Sequence, residues 1–200
     1  MDLRINRGPK PEIALTFRNY RKALPELRRD FQDRCAYSMQ HISRAGGIQN
    51  MDVDFFDPRR GKKGVVDYNN LFLASHHCNI AKGDFWPSKQ ELASGIRLLN
   101  PCEEMDYGVH IFEDPITHNL VGVTPSGRIQ IRVLALNAPH LVEERRQRSE
   151  LWATFTKLKA EAEAKNLSIA KGLLEQLEEV LRYSIPPIPP PPALGEIEIR

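Results

Sequence analysis

The sequence predicts an α+β fold, with short strands gathered into small hairpin elements and flanked by helices. Three observations carry this expectation. MDVDFF at 51–56 and NNLFLAS at 69–75 are strand-like runs separated by a turn-rich loop. From Leu141 onward apolar residues recur at helical intervals. The chain has 200 residues and is 41% hydrophobic, enough to bury one good core with room for a small second one.

Residues 1–34 form a basic segment containing Arg4, Arg7, Lys10, Arg18, Arg21, Lys22, Arg28, Arg29 and Arg34. GPKP cannot be helical, whereas EIALTFRNYRKAL and PELRRDFQDR carry helical spacing, the second with Pro25 in its first turn. Ile13, Leu15, Phe17 and Phe31 are the expected packing residues. The arginines are either solvated surface or a fringe facing phosphate.

Residues 35–104 hold the central unit. Strand MDVDFF leads into DPRRGKKG, a basic loop rich in turn residues. Strand NNLFLAS then completes a hairpin, and HHCNIAKGD begins a short helix. Residues 105–140 read as a second small β element of three strand-like runs: YGVHIFED, LVGVTPSG and RIQIRVLAL, with TPSGR as turn chemistry. Residues 141–184 are helical: Leu151, Phe155 and Leu158 share one face, and a further helix runs through Leu173, Leu177 and Leu181. Residues 185–200 carry six of the fifteen prolines. This extended tail is a partner-binding arm, an ordered strap or a disordered terminus.

No apolar run is long enough to cross a bilayer, and MDLRINRGPK lacks the apolar core of a secretory signal, so a cytoplasmic protein is expected. Cys35, Cys78 and Cys102 are too few for a disulfide framework, in keeping with a reducing compartment. The net charge of +2 does not by itself argue for a nucleic-acid partner, so the distribution of charge matters more than its sum.

The ordered stretches CAYS (35–38), VDFFDP (53–58), NNL (69–71) and SHHCNIAKG (75–83) resemble the HNH family of nucleases. That resemblance implies a ββα-metal unit, a hairpin plus helix holding a single divalent ion, Mg²⁺ or Mn²⁺. It implies Asp54 and Asn79 as metal ligands, oxygen donors of the kind hard cations prefer. It also implies Asn70 as the residue that orients the catalytic histidine. Phe55 stands where the family carries that histidine, the general base. A phenyl ring has no lone pair to accept a proton, and loss of a positioned base removes about 10²- to 10⁴-fold in rate. The expectation is therefore an HNH-type endonuclease-like protein with impaired cutting, or a non-catalytic nucleic-acid-binding or regulatory subunit.

The family's structural zinc would need four ligands, but Ser38 and Ser75 replace two cysteines. Cys35 and Cys78 remain, with His41 or His77 to complete a mixed site, or else two buried thiols pack where zinc once sat. Arg59, Arg60, Lys62, Lys63 and Lys82 surround the expected phosphate position and are expected to contact DNA or RNA. The flanks INRGPKPEIALTFR and VLALNAPHLVEERR resemble HNH proteins that accompany retrons and those of Septu-type antiphage systems. This implies an antiviral defence role beside an ABC-type ATPase, with the late helices and proline tail as the interface.

Overall fold

The structure is a computed structural model that describes residues 5–60, 64–165 and 170–192. It is a mixture of helices with two small antiparallel sheets. Helix α1 (Leu24–Asp30) carries Pro25 in its first turn, where a missing N–H costs nothing. The segment before it is not the expected long helix. Thr16 pairs with Val65 in an isolated bridge, and the Asn19 side chain accepts from the Thr16 N–H at 2.6 Å. That local bond competes with helix, so only a 3₁₀ turn, Tyr20–Ala23, forms. Leu15 and Phe31 are buried as expected, but Ile13 and Phe17 are exposed.

Strands β1 (Met51–Phe55) and β2 (Leu71–Ser75) form the expected hairpin, with Asp54 opposite Phe72 and Phe55 opposite Leu71. All five residues of β2 are buried. Ala36 donates to Leu73 O at 2.7 Å, and Phe31 and Tyr37 lie against Phe72. This enclosure explains a near-continuous apolar run rather than an alternating one. Each fully buried large side chain here contributes about 1.5–3 kcal/mol. Helix α2 (His76–Lys82) follows without a linker: Ser75 accepts from the Cys78 N–H as N-cap, and Gly83, at φ 51°, ends the helix in the left-handed region.

Helix α3 (Lys89–Ala93) begins with a reciprocal Ser88–Glu91 capping box. Strands β3 (Ile111–Glu113) and β4 (Leu120–Gly122) pair as expected. The third strand-like run, however, is helix α4 (Pro125–Val133). Thr124 accepts from the Gly127 N–H at 3.1 Å and Pro125 takes the first turn, so TPSGR is a helix start instead of a hairpin turn. Gln130, fully buried, accepts from Leu99 N at 2.8 Å.

Helices α5 (Pro139–Ala164) and α6 (Ala170–Arg182) match the expected helical region. The buried face of α5 is set by Leu141, Arg145, Arg148 and Phe155, while Leu158 is exposed. Arg145 is satisfied by His118 O, Leu136 O and Asn137 Oδ1, and Arg148 Nη2 donates to both Glu113 carboxylate oxygens at 2.6 and 2.7 Å. Within the tail, residues 185–192 are an ordered strap: Ile185 and Ile188 are buried, and Pro189 O accepts from Glu113 N. The rest of the tail lies outside the described residues. One hydrophobic cluster runs from Leu15 to Ile188, so the five sequence spans share a core. Among the described residues no helix is long and apolar enough to cross a membrane.

Candidate functional site

The strand period of two aims Asp52 and Asp54 toward α2, and the helical period sets His76, Asn79 and Lys82 opposite them. Contacts follow that ladder. Asp52 Oδ2 receives His76 Nδ1 at 2.8 Å and the Asn79 amide at 3.0 Å. Asp54 Oδ1 receives Lys82 Nζ at 3.0 Å, and the same ammonium donates to Phe55 O at 2.7 Å. The Tyr37 hydroxyl donates to Asp54 Oδ2. Burial, and then the adjacent Asp54 carboxylate, push the Tyr37 hydroxyl well above the usual phenol range.

Asp54 and Asn79 line one cleft of about 320 Å³, together with Phe17, Tyr20, Phe55 and Gly83. Phe55 occupies its aromatic side, with ring centroids 4.9 Å from Tyr20 and 6.3 Å from Phe17. Asn70 is spent on the loop beyond β1: its amide donates to Asp57 O and Arg60 O, and its carbonyl accepts from Asp57 N. It clamps the loop that follows position 55 and holds no side chain there.

Whether this donor set fits the divalent cation implied by the HNH resemblance is decided by Asp54. Both of its oxygens are engaged, one by an ammonium that already supplies the positive charge, so the carboxylate is satisfied without a metal. Asn79 contributes a single amide oxygen. As arranged, Asp54 would have to give up Lys82 to take a divalent ion; Asp84 lines the same cleft, and among the described residues no group of three or more His, Cys, Asp or Glu is placed to hold one.

The cysteine pair is likewise held by hydrogen bonds. Cys35 and Cys78 are buried as free thiols. Burial pushes Cys35 up, yet hydrogen bonds from Cys78 and Ser38 outweigh it and bring the thiol down to about 5. Donation to Cys35, and then burial, push Cys78 well above its usual range, which makes it the donor of the pair. Neither histidine completes a zinc set. His41 bonds Ser43 and packs on Tyr183, while His77 bonds Ala135 O and meets His140 edge-on. The Ser38 hydroxyl accepts from Gln40 N, and the Ser75 hydroxyl caps α2. Hydrogen bonds thus close the turns around both cysteines.

The expected phosphate-contacting residues divide. Lys82 is 2% exposed and paired with Asp54, so it is a core cation and not a phosphate contact. Arg59 forks onto Asp57 at 2.9 and 2.7 Å and lies over Trp86 at 4.6 Å. Burial raises the Asp57 carboxyl, and the Arg59 hydrogen bonds outweigh this and hold it below the usual range. Arg60 pairs with Asp67 at 2.9 Å and stays largely exposed. Lys62 and Lys63 lie outside the described residues. Of the basic N-terminal segment, Arg7 is drawn inward beside the Phe31, Tyr68 and Phe72 rings, and Arg34 bonds Met39 O and Ser184 O. Arg18, Arg21 and Lys22 remain exposed beside the cleft residues Phe17 and Tyr20.

Sequence reasoning missed Tyr37, Asp52 and the aromatic pair Phe17 and Tyr20. Asp52 had a visible signal, since it precedes Asp54 by one strand repeat. Compared with protein-family models, with curated proteins and with solved structures, the chain matches none.

Proposed function

We propose that this chain is a nucleic-acid-binding or regulatory protein built on an HNH-like hairpin and helix, with the hydrolytic route of that family disabled. One observation carries the reading: both oxygens of the Asp54 carboxylate are engaged, by Lys82 and Tyr37, beside a phenyl ring at the base position. Two elements of the hydrolytic apparatus are thereby lost together, the proton acceptor and the open carboxylate. Exposed Arg18, Arg21, Lys22 and Arg60 supply the charge for salt-sensitive backbone contact. The test is a cleavage and binding assay on DNA and RNA with Mg²⁺ or Mn²⁺. Salt-sensitive binding without cutting is expected, and Phe55→His alone should not restore cutting because Asp54 stays paired. Metal-dependent cutting by the unmodified protein that vanishes in Asp54→Ala would overturn the proposal.

A second reading, an active endonuclease with one Mg²⁺ or Mn²⁺, is favoured by the shared cleft of Asp54 and Asn79. It requires Lys82 to release the carboxylate. The antiphage role and an ABC-type ATPase partner rest on the retron and Septu resemblance, and a cytoplasmic location on the sequence's want of a secretory signal core or a bilayer-spanning run. Exposed Trp152, Leu158, Leu173 and Val180 on α5 and α6 support a protein interface there. Co-purification with such an ATPase that survives removal of residues 140–200 would argue against that interface.

A further inference from the structure

We propose that the Phe17–Tyr20–Phe55 cleft is a stacking site for an unpaired nucleobase, so that the protein selects single-stranded over duplex nucleic acid. This rests on the nucleic-acid reading above and adds to it the form of the ligand. The three rings form one cluster, with centroids 4.9 to 6.3 Å apart, and all of them line the cleft. Phe17 packs on Tyr20 and Phe55 and still leaves 52% of its surface open. Isolated exposed apolar residues are ordinary, but this one is backed by two further rings and borders a cleft of about 320 Å³.

Charge complementarity identifies the occupant. The segment that presents Phe17 and Tyr20 also presents exposed Arg18, Arg21 and Lys22, interleaving rings with cations along a few residues. Aromatic platforms beside backbone-tracking cations are what single strands require, because every base has a π-face and every nucleotide a phosphate. A duplex offers its phosphates but keeps its bases stacked internally. The cleft is lined by two carboxylates, Asp54, whose charge Lys82 offsets, and Asp84, so it suits the uncharged base while the phosphates fall to the cations outside it. Phe55 thus gains a role that histidine at that position would fill less well: it extends the apolar wall instead of accepting a proton.

The experiment is fluorescence anisotropy with labelled single-stranded RNA, single-stranded DNA and a duplex of the same sequence. Single strands should bind more tightly than duplex, and the RNA and DNA arms identify the sugar preferred. Phe17→Ala should weaken single-strand binding by about 5- to 100-fold while leaving duplex binding unchanged. Phe17→Trp should retain it. Phe17 is half exposed, so its truncation is compatible with a folded protein, and an unchanged thermal melt confirms this. If Phe17→Ala leaves affinity intact while Arg18→Glu with Arg21→Glu weakens it, the stacking site is wrong and the nucleic-acid reading survives. Failure to bind any nucleic acid at low salt overturns both.

Discussion

At the scale of single residues, the decisive fact is which cation sits beside Asp54. A buried carboxylate is costly unless paired and hydrogen-bonded, and here Lys82, with its side chain fully buried, does the pairing. Lys82→Met should therefore cost about 3–5 kcal/mol, because it strands a buried charge. Combining it with Asp54→Asn should recover most of that loss, as removing both partners removes the penalty. Urea unfolding of the two single variants and the double variant measures the coupling, and a Lys82→Met loss below about 1 kcal/mol would refute it. The resemblance of the ordered stretches to the HNH family pointed to Asp54 and Asn79. It did not reveal that the Lys82 stem, one helical turn beyond Asn79, folds back to reach Asp54, since that choice depends on how closely α2 lies on β1.

At the scale of elements, the hairpin, α2 and the long late helices were legible because their patterns run unopposed over several residues. Helix α4 was not. Its Ile129, Ile131 and Val133 alternate like a strand, yet Thr124 and Pro125 start a helix, and in that helix buried Gln130 meets Leu99 N and Asp106. Local capping and tertiary hydrogen bonds outweighed the alternation. Gly127 tests this assignment sharply. By helix propensity alone, Gly127→Ala would stabilise by up to about 1 kcal/mol. A methyl group there would stand 2.3 Å from the His110 carbonyl oxygen, so backbone must move. The expected result is a loss of about 1–3 kcal/mol, read as a lower melting temperature, whereas a gain would show that α4 does not press on the β3 edge. Thr124→Ala should cost about 1 kcal/mol through the lost cap.

Across the whole molecule, the central unit and the second sheet are joined by polar side chains buried within the shared core. The Tyr107 hydroxyl donates to Tyr37 O at 2.6 Å, and the preceding Asp106 accepts from Tyr107 N at 2.8 Å and Gln130 at 3.3 Å. Tyr37 in turn holds Asp54, so the candidate site is braced from the far side of the fold. Burial pushes the Asp106 carboxyl up to about 7, since its neighbours do not offset the desolvation of a charge. The consequence for stability has a definite sign. Below the ordinary carboxylate pKa both folded and unfolded chains hold the proton, and the full contribution is present. As pH rises toward 7 the unfolded chain releases the proton first, so folding loses stability by about 1.4 kcal/mol per unit of separation. Above 7 the folded protein ionises as well and the loss levels off. Asp106→Asn should remove this slope, becoming progressively more stable relative to the parent between pH 4 and 7. Urea unfolding across that range provides the measurement, and a difference between the two proteins that did not change with pH would show that Asp106 is not held protonated by burial.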